Sequence, residues 1–107
     1  AHDLVYVIAR QGDTMQAISD EFGISLRKLI RYNDQYKYYV PREGDVIYLH
    51  RKRYRAKKPN MHHVVAYGES MYMIAQMYGV RLCRLYKMND VKPATYAPMV
   101  GDVIRLR

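Results

Sequence analysis

The stretch GDVIYL at residues 44–49 recurs as GDVIRL at residues 101–106, close to the end of a chain of 107 residues. The similarity extends upstream, where GDTMQAISDEFGISLRKLIRYND (residues 12–34) aligns without a gap on GESMYMIAQMYGVRLCRLYKMND (residues 68–90) at an offset of 56. The offset changes by one in the loop that follows, which is where a fold tolerates insertions. The chain therefore contains two copies of one small domain.

Each copy has the sequence pattern of a strand, two helices and a second strand. A Gly-acid-Thr/Ser triplet starts the first helix and a Gly ends it, while Asn33 or Asn89 suits a left-handed end to the second helix. We expect an α+β fold in which each copy has a two-stranded antiparallel sheet with both helices on one face. The predicted domains are residues 4–50 and 62–107, joined by a basic linker of residues 51–61.

The charge of the chain is strongly basic, with 18 Lys and Arg against 10 Asp and Glu and a net charge of +8. Six of the cations lie in the linker: Arg51, Lys52, Arg53, Arg55, Lys57 and Lys58. The sequence leaves three interpretations open. The favoured interpretation is that the basic linker is an exposed tether. The second is that it is attracted to anionic envelope polymers, and the least favoured is that it binds nucleic acid through the phosphates.

Several classes of protein are excluded by composition. The longest apolar stretch, residues 4–9, is far shorter than the roughly 20 residues of a membrane-spanning helix, so we expect no membrane span. Cys83 is the single cysteine, which excludes an intrachain disulfide. His62 and His63 are adjacent and point to opposite faces of a strand, so we expect no metal site and no cofactor.

The chain begins at Ala1 without a leader and is interpreted as a processed product or a piece of a longer protein.

The duplicated carboxylates raise the question of catalysis, because glycan hydrolysis needs two facing acids. The duplicated pairs are Asp13 with Glu69, Asp34 with Asp90, and Asp45 with Asp102. Turn and cap roles explain each pair, and a domain of this size offers no deep cleft that could raise the pKa of one acid. We therefore expect no catalytic residues and no enzymatic activity in this chain.

The repeated motifs resemble the LysM family. The second copy carries HVVAYGES, IAQMYGV, LCRLYKMND and VGDVIRL, and the first carries QGDT, ISDEFGIS, LRKLIRYND and EGDVIYL. They occur in the family's order twice and cover nearly all of the chain outside the linker. Met15 and Met71 replace the Leu that is usual in the family, which conserves volume. The loops QYKYYVP and VKPATYAP are longer than usual and contain tyrosine.

The resemblance implies that the chain binds glycan containing N-acetylglucosamine, of peptidoglycan or a chitin-like polymer. The family's shallow groove lies between the loop before the first helix and the loop after the second helix. In the first copy the implied residues are Gly12, Asp13, Thr14, Met15, Tyr39, Val40 and Pro41. In the second copy they are Gly68, Glu69, Ser70, Met71, Tyr96, Ala97, Pro98 and Met99. Backbone groups would pair with the acetamide, Met and Pro would contact its methyl group, and Tyr would lie along the sugar ring. We expect Met15 and Met71 to be core residues first, with only a marginal contact to the ligand.

Tandem copies with a basic linker are also similar to the C-terminal, glycan-binding part of bacterial cell-wall glucosaminidases, particularly from Bacteroides-like organisms. This implies a non-catalytic module that anchors an N-terminal catalytic domain, outside the cytoplasm, in the cell envelope or periplasm. Two alternatives stay open. The chain could be a protein–protein adaptor that uses the tyrosine loops at residues 35–41 and 94–99, or it could bind an anionic polymer through its linker.

Overall fold

The computed structural model describes residues 4–107. The described residues up to Lys52 form one compact unit, and those from Arg53 onward form a second. The order of elements is β1 (Tyr6–Ile8), α1 (Met15–Phe22), α2 (Leu26–Tyr32), β2 (Val46–Tyr48), β3 (His62–Val64), α3 (Met71–Tyr78), α4 (Leu82–Met88) and β4 (Val103–Arg105). The predicted α+β fold, with β-α-α-β order in each copy, is confirmed.

In the first domain β1 pairs antiparallel with β2, and Val7 lies opposite Ile47. Both helices pack on the sheet face that carries these two residues, because α1, α2 and Ile47 contribute to one apolar core. The buried core residues are Ala9, Met15, Ile18, Leu29, Ile30 and Ile47. Burial of these side chains in a single cluster is the main source of stability in a domain that has no disulfide.

The second domain repeats this arrangement. β3 pairs antiparallel with β4, with His63 opposite Ile104. The buried core residues are Ala56, Val65, Met71, Ile74, Ala75, Val80, Leu85, Ile104 and Leu106. Across residues 4–107, the structure contains no helix with the length and hydrophobicity needed to cross a membrane.

The helix ends follow the sequence prediction in part. Gly23 and Gly79 end the first helix of each copy with φ values of 66° and 67°, in the left-handed region that favours glycine. The prediction that Asn33 and Asn89 are left-handed is wrong, because their φ values are −106° and −99°. The left-handed position is instead the Asp that follows each of them, with φ values of 53° and 54°.

The two asparagines have a different role, since their side chains pair with the second strand. Nδ2 of Asn33 donates to the carbonyl oxygens of Leu29 (2.8 Å) and Tyr48 (3.0 Å), and its Oδ1 accepts from the Tyr48 amide (2.7 Å). Alternate residues of an antiparallel strand turn their backbone groups away from the partner strand, and the amide side chain of Asn33 pairs with these groups at Tyr48. Asn89 covers Arg105 in the same way.

The beginning of the predicted linker belongs to the first domain. The Lys52 side chain is buried, at 3% exposed for the whole residue, and its Nζ forms an ion pair with Asp34 Oδ2. A buried ammonium is tolerated only with such a partner. The exposed tether that the sequence favoured is therefore a wrong description of Lys52.

The next residues of the predicted linker pack on the second domain. The Arg53 amide donates to the Gly79 carbonyl oxygen (2.8 Å), and the Ala56 amide donates to the Leu106 carbonyl oxygen (2.8 Å). Ala56 is 1% exposed within the second core, where its small side chain fits. Residues 53–56 are thus part of a folded surface and not a tether. The exposed cations of the segment are Arg51, Arg55, Lys57 and Lys58.

Candidate functional site

The loop before the first helix of each copy begins at a glycine that the backbone requires. Gly12 and Gly68 have φ values of +84° and +81°, which side chains with a Cβ rarely adopt. The following acids close the loop. Oδ2 of Asp13 accepts from the Arg10 amide and Oε1 of Glu69 accepts from the Ala66 amide, both at 2.7 Å.

The next position caps the helix, as predicted. The Thr14 hydroxyl accepts from the Ala17 amide (3.0 Å), and the Ser70 hydroxyl accepts from the Met73 amide (3.1 Å). Thr14 and Ser70 are themselves exposed, so the backbone at the start of each helix lies at the surface. A ligand on this loop would meet backbone groups and a capping hydroxyl.

Met15 and Met71, by contrast, are core residues. They are 3% and 1% exposed and lie in the two apolar clusters. Their side chains stabilise the fold beneath the loop and present almost no surface to a ligand.

The loop after the second helix is held by an aspartate. The Tyr39 hydroxyl donates to Asp45 Oδ2 and the Tyr96 hydroxyl donates to Asp102 Oδ2, each at 2.7 Å. The same carboxylate oxygens accept backbone amides from within the loop, at 2.9 Å in the first copy and 3.0 Å in the second. The predicted turn role of Asp45 and Asp102 is confirmed, and the tyrosines are fixed by it. Each tyrosine ring is half-buried against its core.

These hydrogen bonds shift the pKa values in the second copy. Burial and the hydrogen bond to Asp102 raise the pKa of Tyr96 to about 12. The Met99 amide and the Tyr96 hydroxyl lower the pKa of Asp102. The loop geometry is therefore maintained by an ionised aspartate at neutral pH.

The fold brings the two loops of each copy to the same end of its sheet. β1 runs into the loop of residues 12–15, and the loop of residues 39–41 leads to the start of β2, which is antiparallel to β1. The Ala9 amide donates to the Asp45 carbonyl oxygen (2.8 Å), and the Gly44 amide donates to the Ala9 carbonyl oxygen (2.8 Å). We call residues 12–15 and 39–41 the first loop pair.

The second copy has the matching arrangement. The Val65 amide donates to the Asp102 carbonyl oxygen (2.8 Å), and the Gly101 amide donates back to Val65 (2.9 Å). We call residues 68–71 and 96–99 the second loop pair. The sequence-predicted site residues of each copy thus lie at one end of one sheet.

Exposure within the loop pairs differs from residue to residue. Val40 and Met99 are 69% and 71% exposed, and Ala97 is also exposed. Pro41 is buried and Pro98 is half-buried. The apolar surface available to a ligand therefore comes from Val40 in the first copy and from Ala97 and Met99 in the second.

A polar network beside the second loop pair was not predicted from the sequence. Nε2 of His63 lies 2.7 Å from Glu69 Oε1, and Nδ1 lies 2.8 Å from the Tyr78 hydroxyl. The Ala66 amide and His63 lower the pKa of Glu69, while burial and the charge of Glu69 raise the pKa of Tyr78. An ionised carboxylate only accepts hydrogen bonds, so Nε2 of His63 donates to Glu69.

The first copy replaces two members of this network with apolar residues. Val7 and Phe22 occupy the positions of His63 and Tyr78, and Asp13 occupies that of Glu69. All three first-copy residues line a hollow of about 250 Å³, together with Ile8, Arg10, Ile18 and Glu21. The signal was present in the alignment of the two copies, as a His and a Tyr that stand opposite apolar residues.

The family comparison identifies both copies. The LysM domain model matches residues 7–49 and residues 63–107. These two matches cover most of the chain, which therefore belongs to the LysM family. LysM domains are generally non-catalytic modules that bind peptidoglycan or N-acetylglucosamine. They occur in cell-wall proteins.

Two solved structures are similar in fold. The spore cortex-lytic enzyme SleL of Bacillus cereus has 21% sequence identity and a TM-score of 0.41, with 97% of this chain and 22% of that chain covered. SleL of Bacillus megaterium has 19% sequence identity and a TM-score of 0.40, with 98% of this chain and 23% of that chain covered. This chain spans less than a quarter of the length of either enzyme. No curated protein matches the chain.

Proposed function

We propose that this chain is a non-catalytic module that binds N-acetylglucosamine-containing glycan through both loop pairs. The polymer is peptidoglycan or a chitin-like glycan. The proposal rests mainly on the position of the two loops of each copy, which share one end of one sheet. Backbone at the helix start and exposed apolar side chains are therefore available on the same surface.

The chemistry of the ligand fits this surface. An N-acetyl group carries one donor, one acceptor and a methyl group. The loops that begin at Gly12 and Gly68 can offer backbone partners, and Val40 or Met99 can contact the methyl group. Tyr39 and Tyr96 use their hydroxyl groups within the loop, so only the ring edge or face would contact a sugar.

Duplication has a physical consequence for affinity. Each groove is shallow and would bind weakly, but two grooves on one chain raise the effective concentration of the second site for the same polymer. The second copy follows the family pattern more closely, and we expect it to bind at least as well as the first.

The module would anchor an attached catalytic domain to its substrate in the cell envelope or periplasm. A cell-wall hydrolase such as a glucosaminidase, N-terminal to Ala1 in the full-length protein, is the attached enzyme that we propose. LysM domains occur in cell-wall and extracytoplasmic proteins, which supports this proposal. The catalytic chemistry would belong to that domain, and this chain would supply localisation.

Calorimetric titration with N-acetylglucosamine oligomers tests the groove. Met99→Ser should weaken binding about 5-fold or more, because an exposed side chain that would be buried by the ligand loses most of its apolar area. Val100→Ser is the matched control, since Val100 follows Met99 in sequence, is similarly exposed at 65%, and lies outside the second loop pair. Equal losses for the two variants would contradict the proposed groove.

A second arm of the experiment varies salt. Glycan contacts that use neutral groups should survive a rise from about 0.1 M to about 0.5 M salt, whereas attraction through the basic segment is screened. Loss of glycan affinity at the higher concentration would assign binding to the cations and refute the groove.

A further inference from the structure

A basic hollow in the second domain lies apart from the loop pairs. It has a volume of about 290 Å³ and is lined by Tyr54, Arg55, Arg84, Lys87, Met88 and Arg107. Four of these six residues are cations, and among residues 4–107 the lining contains no Asp or Glu. A cluster of like charges is unfavourable by itself, so an anion in the hollow would relieve their repulsion.

The cations come from three parts of the domain that hydrogen bonds hold together. Arg84 and Lys87 are three residues apart on α4 and therefore share one helix face. Arg107 follows β4, and its Nη1 donates to the Ala56 carbonyl oxygen. Because Ala56 is itself bonded to Leu106, the segment that carries Arg55 is fixed against the strand.

Tyr54 orients one wall of the hollow. The guanidinium carbons of Arg84 and Arg81 lie 4.1 Å and 4.4 Å from the centroid of its ring, as in cation–π contacts. A hydrogen bond with Arg84, and then the charges of Arg81 and Arg84, lower the pKa of Tyr54. The guanidinium group of Arg84, which lines the hollow, is thus positioned in the absence of a ligand, and this reduces the entropy lost on binding.

The number and type of cations indicate the charge of the ligand. A guanidinium group offers a planar fork of donors that suits phosphate or carboxylate oxygens. A single carboxylate has two oxygens and one charge, which one arginine can satisfy. A phosphate group has more acceptor oxygens and, in a polymer, neighbouring charges that the remaining cations can pair with.

We propose that this hollow is a binding site for a phosphate group of a polyol-phosphate or sugar-phosphate polymer. Nucleic acid fits less well, because its binding by exposed surfaces relies on aromatic rings that stack with bases. The lining given for the hollow contains a single aromatic residue, Tyr54, and its ring already contacts two guanidinium groups. The site is independent of the glycan groove, so either one can exist without the other.

The first domain supplies a matched control. Lys28 and Arg31 on α2 stand at the positions of Arg84 and Lys87 on α4, and the 53–56 segment packs on the second domain. The double variant Arg55→Gln/Lys87→Gln removes two exposed charges from the hollow, and Lys28→Gln/Arg31→Gln removes two exposed charges elsewhere. The two variants have the same net charge, so a diffuse charge effect would weaken binding equally.

The probes are inorganic pyrophosphate and a short oligo(glycerol phosphate), titrated into the whole chain and followed by amide-resolved NMR. We expect shifts at residues 54–56, 84–88 and 105–107. The hollow variant should weaken binding about 10-fold, and the control should change it less than about 2-fold, in line with the strength of charge-assisted hydrogen bonds. Equal weakening, or shifts spread over all surface cations, would overturn the proposal.

An oligonucleotide of the same charge distinguishes the polymer class. Weaker or equal binding of the oligonucleotide supports the polyol-phosphate or sugar-phosphate assignment. Binding clearly tighter than that of oligo(glycerol phosphate) would overturn it in favour of nucleic acid.

Discussion

Asn33 and Asn89 each pair with the outer edge of one sheet, and replacing them with alanine should lower the stability of the two domains by unequal amounts. Asn33 and Asn89 share three hydrogen bonds, one to a helix carbonyl oxygen and two to the backbone groups of one strand residue. They differ in burial, because Asn33 is 0% exposed whereas Asn89 is only half-buried. The Asn→Ala pair therefore compares the loss of three matching hydrogen bonds at two different degrees of burial.

The magnitude follows from what is left unpaired. In Asn33→Ala the amide and carbonyl groups of Tyr48 lose their partner in a buried environment, since Tyr48 is 1% exposed. At about 1–3 kcal/mol for each unsatisfied buried group, the expected loss is about 3 kcal/mol. In Asn89→Ala water can replace the side chain at the exposed Arg105, and the expected loss is about 1 kcal/mol.

Native-state hydrogen exchange measures the two domains separately within one chain. The Ala9 amide, bonded to Asp45, reports on the first sheet, and the Val65 amide, bonded to Asp102, reports on the second. A domain of about 45 residues has a stability of roughly 2–7 kcal/mol, so Asn33→Ala should bring the first domain close to unfolding. Equal losses in the two variants, or a larger loss for Asn89→Ala, would show that burial does not determine the effect of removing these hydrogen bonds.

Three further predictions concern the second domain. The pKa of Glu69 in the folded chain lies below its unfolded value of 4.5, because the Ala66 amide and His63 donate hydrogen bonds to the carboxylate. The contribution of Glu69 to folding stability is therefore complete above pH 4.5 and is lost as the pH falls through the lower folded pKa. Hydrogen exchange measured down to about pH 3 should show this loss, and Glu69→Gln should abolish that component. Met71→Ala should lower the unfolding free energy by about 2–5 kcal/mol in urea titrations, and a negligible loss would show that the core tolerates the cavity. Tyr96→Phe should raise the pKa of Asp102 in NMR titrations of the carboxyl carbon, and an unchanged pKa would contradict the hydrogen-bond assignment.

The fold was predictable because the chain repeats its signals twice. A helix cap, a terminating Gly and two amphipathic helices occur at matching positions, and each pattern has a local physical cause. The asparagine role was not predictable in this way. A residue that suits a left-handed helix end was instead used to pair with a strand more than ten residues away, which is a tertiary contact without a local signature.

The candidate site was predictable as a set of loops but not in its details. The helical spacing predicted that Met15 and Met71 are core residues, and their burial confirms it. The residue types in the loop pairs do not reveal that the hydroxyl groups of Tyr39 and Tyr96 are engaged by aspartates. For a related reason, the sequence did not reveal that Lys52 is buried in the first domain and that residues 53–56 pack on the second. Its charge pattern predicts exposure, while the backbone pairing of Arg53 and the burial of Ala56 depend on the folded second domain.

The most direct test of the glycan-binding proposal is an amide-resolved NMR titration of the whole chain with N-acetylglucosamine oligomers of increasing length. We predict concentration-dependent shifts that cluster at residues 68–71 and 96–99, with matching shifts at residues 12–15 and 39–41. Absence of shifts at about millimolar ligand, where weak sites of this type should be populated, would contradict the account. Shifts confined to residues outside both loop pairs would contradict it equally.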